Sequence, residues 1–377
     1  MNNIRYHEVQ PSNSKQIFQG DDLVDFELES FGRKLVKNSI EICGTMQTTK
    51  VVGGTTSRIV HDDVGLVFMD KNAGVHSIIE NVSCSTLNQG SVESIGFSYP
   101  RFAGLLNVLQ KRNQDKNNVS DVLEWTTPDY DLTDNKLRQQ FVTDGSAGGV
   151  FNYDSTFNFK PKIVFNRTDS DVSFAKTGKM RISINLSSPE KCIVNQLTTA
   201  DTISYTITDL KLRFRSVPDD GAPTQVIAQK LVPLKTTINS SLSSMSLNVP
   251  SQSATGCSIS FQNTSNEGNP KFNNSQLEKI NITGLQFFFN SANTYLNYQL
   301  KNRSEILLRG LKSLSPNNDE ATYQCTSTNF ANDENYVVGT DLDGIVDLSQ
   351  NSFEVQIESD IQTNTNVYLA FHSIISM

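Results

Sequence analysis

The residues able to do chemistry are few and scattered. The 377-residue chain has four histidines, His7, His61, His76 and His372. None forms an H-x-x-x-H pair, so a metal site built on them would have to be assembled in space. The nearest string to a cation loop is Asp341-Leu342-Asp343-Gly344, with Asp347 beyond it. It lacks the third ligand and the distal glutamate of a calcium loop, and reads as a turn before a strand. The flexible run from Asp144 to Gly149 has no following lysine and no following helix, so it is not a phosphate cradle. Neither G-x-x-x-x-G-K-[ST] nor G-x-S-x-G occurs. Phe287, Phe288 and Phe289 read as core plus one exposed contact and do not alternate with a basic cluster as in single-strand binders. The expectation is therefore no catalytic residue, no cofactor and no metal, in a protein that is not an enzyme.

Composition narrows the class further. Net charge is −8, which argues against specific nucleic-acid binding, because such a role needs a basic stripe. No apolar run reaches the roughly 18 residues that span a bilayer. The opening MNNIRYHEVQPSNSK has no apolar segment of the secretory kind, so no signal peptide is expected. Cys43, Cys84, Cys192, Cys257 and Cys325 are odd in number and widely spaced. That fits buried, reduced thiols better than a disulfide framework. Hydrophobic residues make up 37% and charged ones 19%, enough for a core with a Ser-, Thr- and Asn-rich exterior.

Most of the chain has the alternation of strands. Ile40, Ile42 and Met46 share one parity, and Val64, Leu66 and Phe68 another face over Ile59 to Met69. His76 to Ser85 reads as a third strand. Phe102, Leu105, Leu106 and Leu109 then switch to helical spacing behind Pro100. Residues 113–150 read as a loop excursion pinned by Trp125, the sole tryptophan. Phe157, Phe159, Ile163 and Phe165 share a face, and Met180, Ile182, Ile184 and Leu186 the next. Over Thr202 to Val217 the parity flips from Ile203, Tyr205 and Ile207 to Leu210, Leu212 and Phe214, which predicts a β-bulge near Thr208 or Asp209. Lys211, Arg213 and Arg215 then face outward, as a solvated face or subunit contact. Further strands are expected over Ile238 to Val249, Cys257 to Phe261, Ile280 to Phe289 with a bulge at Gly284, Phe353 to Glu358 and Val367 to Ile375. A short helix is expected over Ser304 to Leu314, with Ser304 as N-cap.

The pattern is all-β, a sandwich or jelly roll with loop and β insertions and two short helices. Residues 1–30 lack periodicity and read as an arm or a frayed terminus. The expected division is a jelly roll over 31–265, with a loop and helix excursion about 88–150, and an additional β region over 266–377. The alternative is one jelly roll made of 31–87 and 234–377, with 88–233 inserted.

Four stretches carry a resemblance to a known family. They are GVHSIIENVSCSTLNQGSVESIGFSYPRF, FNFKPKIVFNR with KTGKMRISINL, ISYTITDLKLRFRSVPDDG and the C-terminal VDLSQNSFEVQIESDIQTNTNVYLAFHSIISM. Their order and spacing resemble the minor capsid (penton) proteins of virophages and polinton-like viruses. The resemblance implies a viral jelly roll and a structural capsid protein. It further implies a homopentamer at the five-fold vertices of an icosahedral virion, touching surrounding major capsid proteins and assembled in the host cell cytoplasm. A double jelly-roll major capsid protein forming trimeric capsomers is the rival within the capsid class. A jelly-roll ligand- or glycan-binding module, using Asp144 to Gly149 and Asp341 to Asp347, is the rival outside it.

Overall fold

Buried apolar residues segregate into two clusters along the chain. One runs from Phe18 to Leu231 and takes in Met377. The other runs from Ile238 to Phe371. The fold is seen in a computed structural model that describes residues 3–58, 67–70, 72–96, 99–110, 124, 155–197, 202–221, 225–272, 274–275, 277–289, 292–293, 299–314 and 336–377.

Around the first cluster the chain forms β1 (Arg5–Val9), β2 (Ile17–Gln19), β3 (Leu23–Leu28), β4 (Arg33–Leu35), β5 (Glu41–Val52), β6 (Thr55–Arg58), β7 (Val67–Met69), β8 (Ile79–Thr86) and β9 (Gly90–Ile95). Helix α1 (Tyr99–Gln110) follows, then β10 (Ser155–Phe159), β11 (Val172–Ser173), the single-turn α2 (Phe174–Thr177), β12 (Met180–Leu186), the single-turn α3 (Pro189–Cys192), β13 (Ile193–Asn195) and β14 (Thr202–Pro218). An eight-stranded sheet has the path β10-β5-β14-β4-β11, with β1 and β2 also on β14 and β6 on β5. A four-stranded sheet, β3-β12-β8-β9, faces it across the core. Around the second cluster lie β15 (Ile227–Ile238), β16 (Leu242–Leu247), β17 (Ala254–Asn263), β18 (Ile282–Phe289), β19 (Ala292–Asn293), helix α4 (Arg303–Ser313), β20 (Val338–Val346), β21 (Phe353–Ser359) and β22 (Thr365–Ser376). They form two four-stranded sheets, β15-β22-β17-β20 and β16-β21-β18-β19, whose inner faces share that cluster. Two antiparallel sandwiches result, each built on period-2 alternation.

The parity argument for β14 holds residue by residue. Ile203, Tyr205, Ile207, Leu210, Leu212 and Phe214 are all buried. The register against β5 shifts between Thr208 and Lys211, and Asp209 takes φ 53°, a left-handed conformation that Asp tolerates. The second bulge also falls where the flip predicts it, between Ile282 and Gly284. Gly44 lies opposite Phe157 in the β5–β10 ladder, and a Cβ there would meet the Phe157 ring at 2.9 Å. That glycine lets an aromatic side chain cross the strand.

Several expectations are corrected. The supposed arm contains β1, β2 and β3; Val24, Phe26 and Leu28 of β3 are fully buried. Its polar composition hid short strands that pair with longer ones. The strand expected from His76 starts only at Ile79, because Gly74–Ile78 is a 3-10 turn. Asp70 drives it: its carboxylate accepts the Asn72 and Ala73 N–H groups, and its carbonyl that of Gly74. Ile163 and Phe165 are buried but not on β10. Pro161 ends that strand, and Asn166 makes the lost ladder bonds, pairing with both backbone groups of Ile40. The stretch Ile238 to Val249 is not one strand but a crossing between sheets, from β15 to β16. The α4 N-cap is Asn302, whose Oδ1 accepts the Ser304 N–H at 2.9 Å, not Ser304 itself. Helix α1 and the paired strand Val67–Met69 lie where expected, while residues 59–66, 113–123 and Trp125 to Gly149 lie outside the described residues.

Ile42 is 2% exposed and Lys211 lies on the outer face of β14. Ile42→Asp should therefore give no cooperatively melting protein, since a buried unpaired charge costs several kcal/mol against a total stability of about 5–15. Lys211→Ala should change stability by no more than about 1 kcal/mol. Denaturant melts of both variants check the assignment of faces.

Candidate functional site

The two sandwiches meet along one strand pair. β15 and β22 pair without a break from Ile227↔Ser376 to Ile238↔Thr365. Ala228 and Leu231 belong to the first cluster, whereas Ile238 belongs to the second. On β22, Val367, Leu369 and Phe371 face the second cluster, while Ala370 and Ile375 pack on the first. The pair is a wall common to both cores.

A buried polar centre lies against this wall. Glu93 of β9 has a side chain with no exposure, in an ion pair with the Arg167 guanidinium. Glu93 Oε1 also accepts the Leu231 N–H at 2.8 Å, and Oε2 accepts the Val164 N–H at 2.7 Å. Burial pushes the Glu93 carboxyl pKa up, while Arg167 and the two backbone donors oppose the rise. The Arg167 guanidinium lies 5.2 Å from the centroid of Phe102 on α1. Phe102 in turn lies 5.9 Å from the His372 ring on β22, and His372 Nε2 is 3.1 Å from Ser258 Oγ. Burial, and secondarily Arg167, lower the His372 pKa to about 3, so the ring is neutral.

Helix α1 carries the next contact. Arg101 is buried, with its guanidinium 4.2 Å over the Tyr368 ring. Its Nη2 donates to Gln262 Oε1 at 2.6 Å and to the Asn274 carbonyl at 2.8 Å. A helix from the first sandwich thus grips β17 and β22 of the second. Leu105 packs with Leu277, Leu314 and Val337 in a small cluster of its own. Asp70 Oδ2 adds a bond to the Ser275 N–H at 2.8 Å.

A cavity of about 320 Å³ opens beside Arg101, walled by Pro100, Gln262, Tyr368, Glu80 and Glu267. Both carboxylates are engaged, Glu80 with Lys191 and Glu267 with Lys235. Each of these pairs lies within one sandwich, and Arg101 is the charged group that reaches across the seam. The lining contains no histidine or cysteine.

The candidates from sequence are not brought together. His7 lies on β1, His76 in the Gly74–Ile78 turn and His372 on β22, while His61 lies outside the described residues. No group of three or more His, Cys, Asp or Glu able to hold a metal occurs among the described residues. Asp341 is in β20 rather than in a turn, and Arg309 of α4 holds it at 2.8 Å. Asp347 accepts the Ser349 N–H and hydroxyl. Cys43, Cys84, Cys192 and Cys257 are buried free thiols. The basic stripe is an internal contact, since Lys211 and Arg213 both pair with Glu8 of β1. Phe287 is buried and Phe289 packs against the second core. No described helix is long and apolar enough to cross a membrane.

Sequence reasoning missed Glu93, Arg101 and Arg167. Glu93 had a readable signal: it shares parity with Ile95, an inward position. Arg101 stands four residues before Leu105 on the apolar side of α1. Arg167 sits in irregular backbone and gives no periodic signal.

No protein-family model matches the chain, and no curated protein matches its sequence. Solved structures do match. The Faustovirus major capsid protein superposes with a TM-score of 0.63 at 8% identity, over 100% of this chain and 90% of that one. PBCV-1 VP54, from a crystal structure fitted into a reconstruction of the virophage Sputnik, gives 0.57 at 9% identity, over 100% and 95%. The mavirus major capsid protein gives 0.54 at 11%, over 98% and 86%. The fold is that of the viral jelly-roll capsid proteins. The likeness spans both sandwiches and the seam, not one barrel alone.

Neutral, buried His372 has a calculable pH signature. The unfolded chain takes up the proton first, so this residue's contribution is constant above pH 6.5 and is lost as pH falls towards 3. Between pH 7.5 and 5.0 the loss should be about 2 kcal/mol. Denaturant melts at the two pH values should show that much less acid destabilisation in His372→Gln than in the wild type.

Proposed function

We propose that the chain is a structural subunit of an icosahedral virus capsid, and that it builds capsomers as a double jelly-roll major capsid protein. The observation that carries this reading is the double sandwich with a shared wall, matched along its whole length by chains described as major capsid proteins. A shell subunit must present broad, rigid flanks to its neighbours. Two sandwiches welded side by side supply them, and three such subunits give a pseudo-hexagonal outline that tiles a facet. The partners are then further copies of the same chain and neighbouring capsid proteins, and the location is the virion.

The second reading is a homopentameric penton at the five-fold vertices. It rests on the sequence resemblance of Gly74 to Phe102 and of the three later stretches. A ring of five needs a heterologous interface whose rotation closes. In either reading each contact between subunits should bury more than about 1,000 Å² if the capsomer is stable by itself.

A cryo-electron microscopy reconstruction of the intact particle separates them. Density for this chain as trimers across the facets is the expected result. Density at the five-fold axes would select the penton. A particle whose shell holds none of this chain would overturn the capsid reading.

A further inference from the structure

The first strand is fastened in a way that depends on one proton. β1 is five residues long and lies along the edge of β14, opposite the β5 side, with Arg5↔Ser216 through Val9↔Leu212 in register. Its inward side chain, His7, lies across the ladder from Phe214 and stacks on it, with ring centroids 4.4 Å apart and planes 7° from parallel. His7 Nε2 is 2.7 Å from Ser216 Oγ. The same hydroxyl accepts Arg33 Nε–H at 2.7 Å, and Arg33 Nη2 donates to the Ser216 and Asn3 carbonyls. Arg33 takes one of the two lone pairs of the hydroxyl, and in the neutral Nδ1–H tautomer of His7 the hydroxyl proton goes to Nε2. The strand is therefore held by a relay running Arg33 to Ser216 to His7.

We propose that β1 is an acid-releasable edge strand: protonation of His7 breaks the relay to Ser216 and Arg33, so that residues 3–9 leave β14 while the rest of the fold stays intact. A protonated ring would put a second cation beside Arg33 across one oxygen, with Arg5 on the same face of β1 adding a third charge. The Phe214 face attracts an imidazolium, but burial and the two guanidiniums outweigh it and hold the His7 pKa below its ordinary value.

The other charged groups around β1 are spoken for. Glu8 faces outward to Lys211 and Arg213, chiefly a hydrogen bond from Arg213, which lowers its pKa below the usual carboxylate range. It therefore stays ionised where His7 titrates. Arg215 lies opposite Tyr6 on that outer face. On β4, Lys34 pairs with Asp219 and Asp220. On β3, Asp25 pairs with Arg181 and Glu27 with Lys179. Lys211 also meets Asp209. Release would bare the backbone edge of Leu212 to Ser216 and one face of Phe214, an open strand edge of the kind that pairs with another chain. Ile4 and Tyr6, 45% and 81% exposed, would go with the freed segment.

Amide hydrogen exchange on the full chain tests the proposal. Exchange of Tyr6, His7, Glu8 and Val9 is followed at pH 7.5, 6.5, 5.5 and 5.0 and corrected for intrinsic rates. The amides of β12, in the facing sheet, report global opening, which His372 makes easier in acid, and they must stay protected while β1 opens. Opening of β1 should rise by up to about tenfold per pH unit as pH falls from 6.5 towards the lowered His7 pKa, and level off below it. His7→Phe keeps a ring on Phe214 and cannot take a proton, and there the opening of β1 should not change with pH. Direct titration of the His7 ring by NMR gives an independent check without a variant, because the rise in opening must level off at the ring's native pKa. Loss of β1 protection only together with that of β12, the same rise in His7→Phe, or a β1 already unprotected at pH 7.5 would each overturn the proposal.

Discussion

A carboxylate with no access to water sits where the two halves of the molecule join. Glu93 cannot stay charged there unless all its lone pairs are used, because an unpaired buried charge costs several kcal/mol. Its partners come from three places: Arg167 and Val164 in the turn after β10, and the Leu231 N–H on β15. Satisfying one side chain thus fixes β9, that turn and the first strand of the second sandwich together. Arg167 passes the constraint on to Phe102, and Phe102 to His372. Removing Glu93 would strand a guanidinium, and removing Arg167 would strand a carboxylate; both lie in the first sandwich, and the Leu231 N–H ties the pair to the shared wall.

Around that centre, close backbone approach does the remaining work. Helix α4 lies directly on β17 and β20. A Cβ at Gly310 would meet the Val337 carbonyl at 2.7 Å, and one at Gly256 would meet that of Ser313 at 2.7 Å. A Cβ at Gly339 would collide with the Cys257 carbonyl and with Ser313. These three glycines act by lacking a side chain, which lets helix and sheet touch. Asp341 on the same strand then meets Arg309 of the helix. Asp341, read from the sequence as part of a turn before a strand, is a helix-to-sheet clamp. Helix α4 and its sheet are thereby held in direct contact in the second sandwich.

Much of this was legible in the residues, and the failures have physical causes. Parity alone placed the bulge at Asp209 and the one before Gly284, because a buried face on both sides of a flip leaves no other register. Helix α1 was legible because Phe102, Leu105 and Leu106 share a face. Strands β1 and β2 were not, because an edge strand takes its stability from its neighbour's backbone and has little apolar patterning of its own. The turn at Gly74–Ile78 was hidden because a side chain just before it, Asp70, decides it through backbone bonds that no periodicity reports. The seam was invisible for a different reason. Its members, Glu93, Arg101, Arg167, Gln262 and Tyr368, are polar residues far apart in the chain, and only the folded wall of β15 and β22 brings them together.

The central claim is that the shared wall and its buried ion pair make two sandwiches into one cooperative unit. Differential scanning calorimetry of the isolated chain at neutral pH addresses it most directly. The account predicts a single transition in which the calorimetric enthalpy equals the van't Hoff enthalpy, because neither core can keep its wall when the other melts. Two resolved transitions, or a calorimetric enthalpy well above the van't Hoff value, would show that the sandwiches unfold independently and would contradict it.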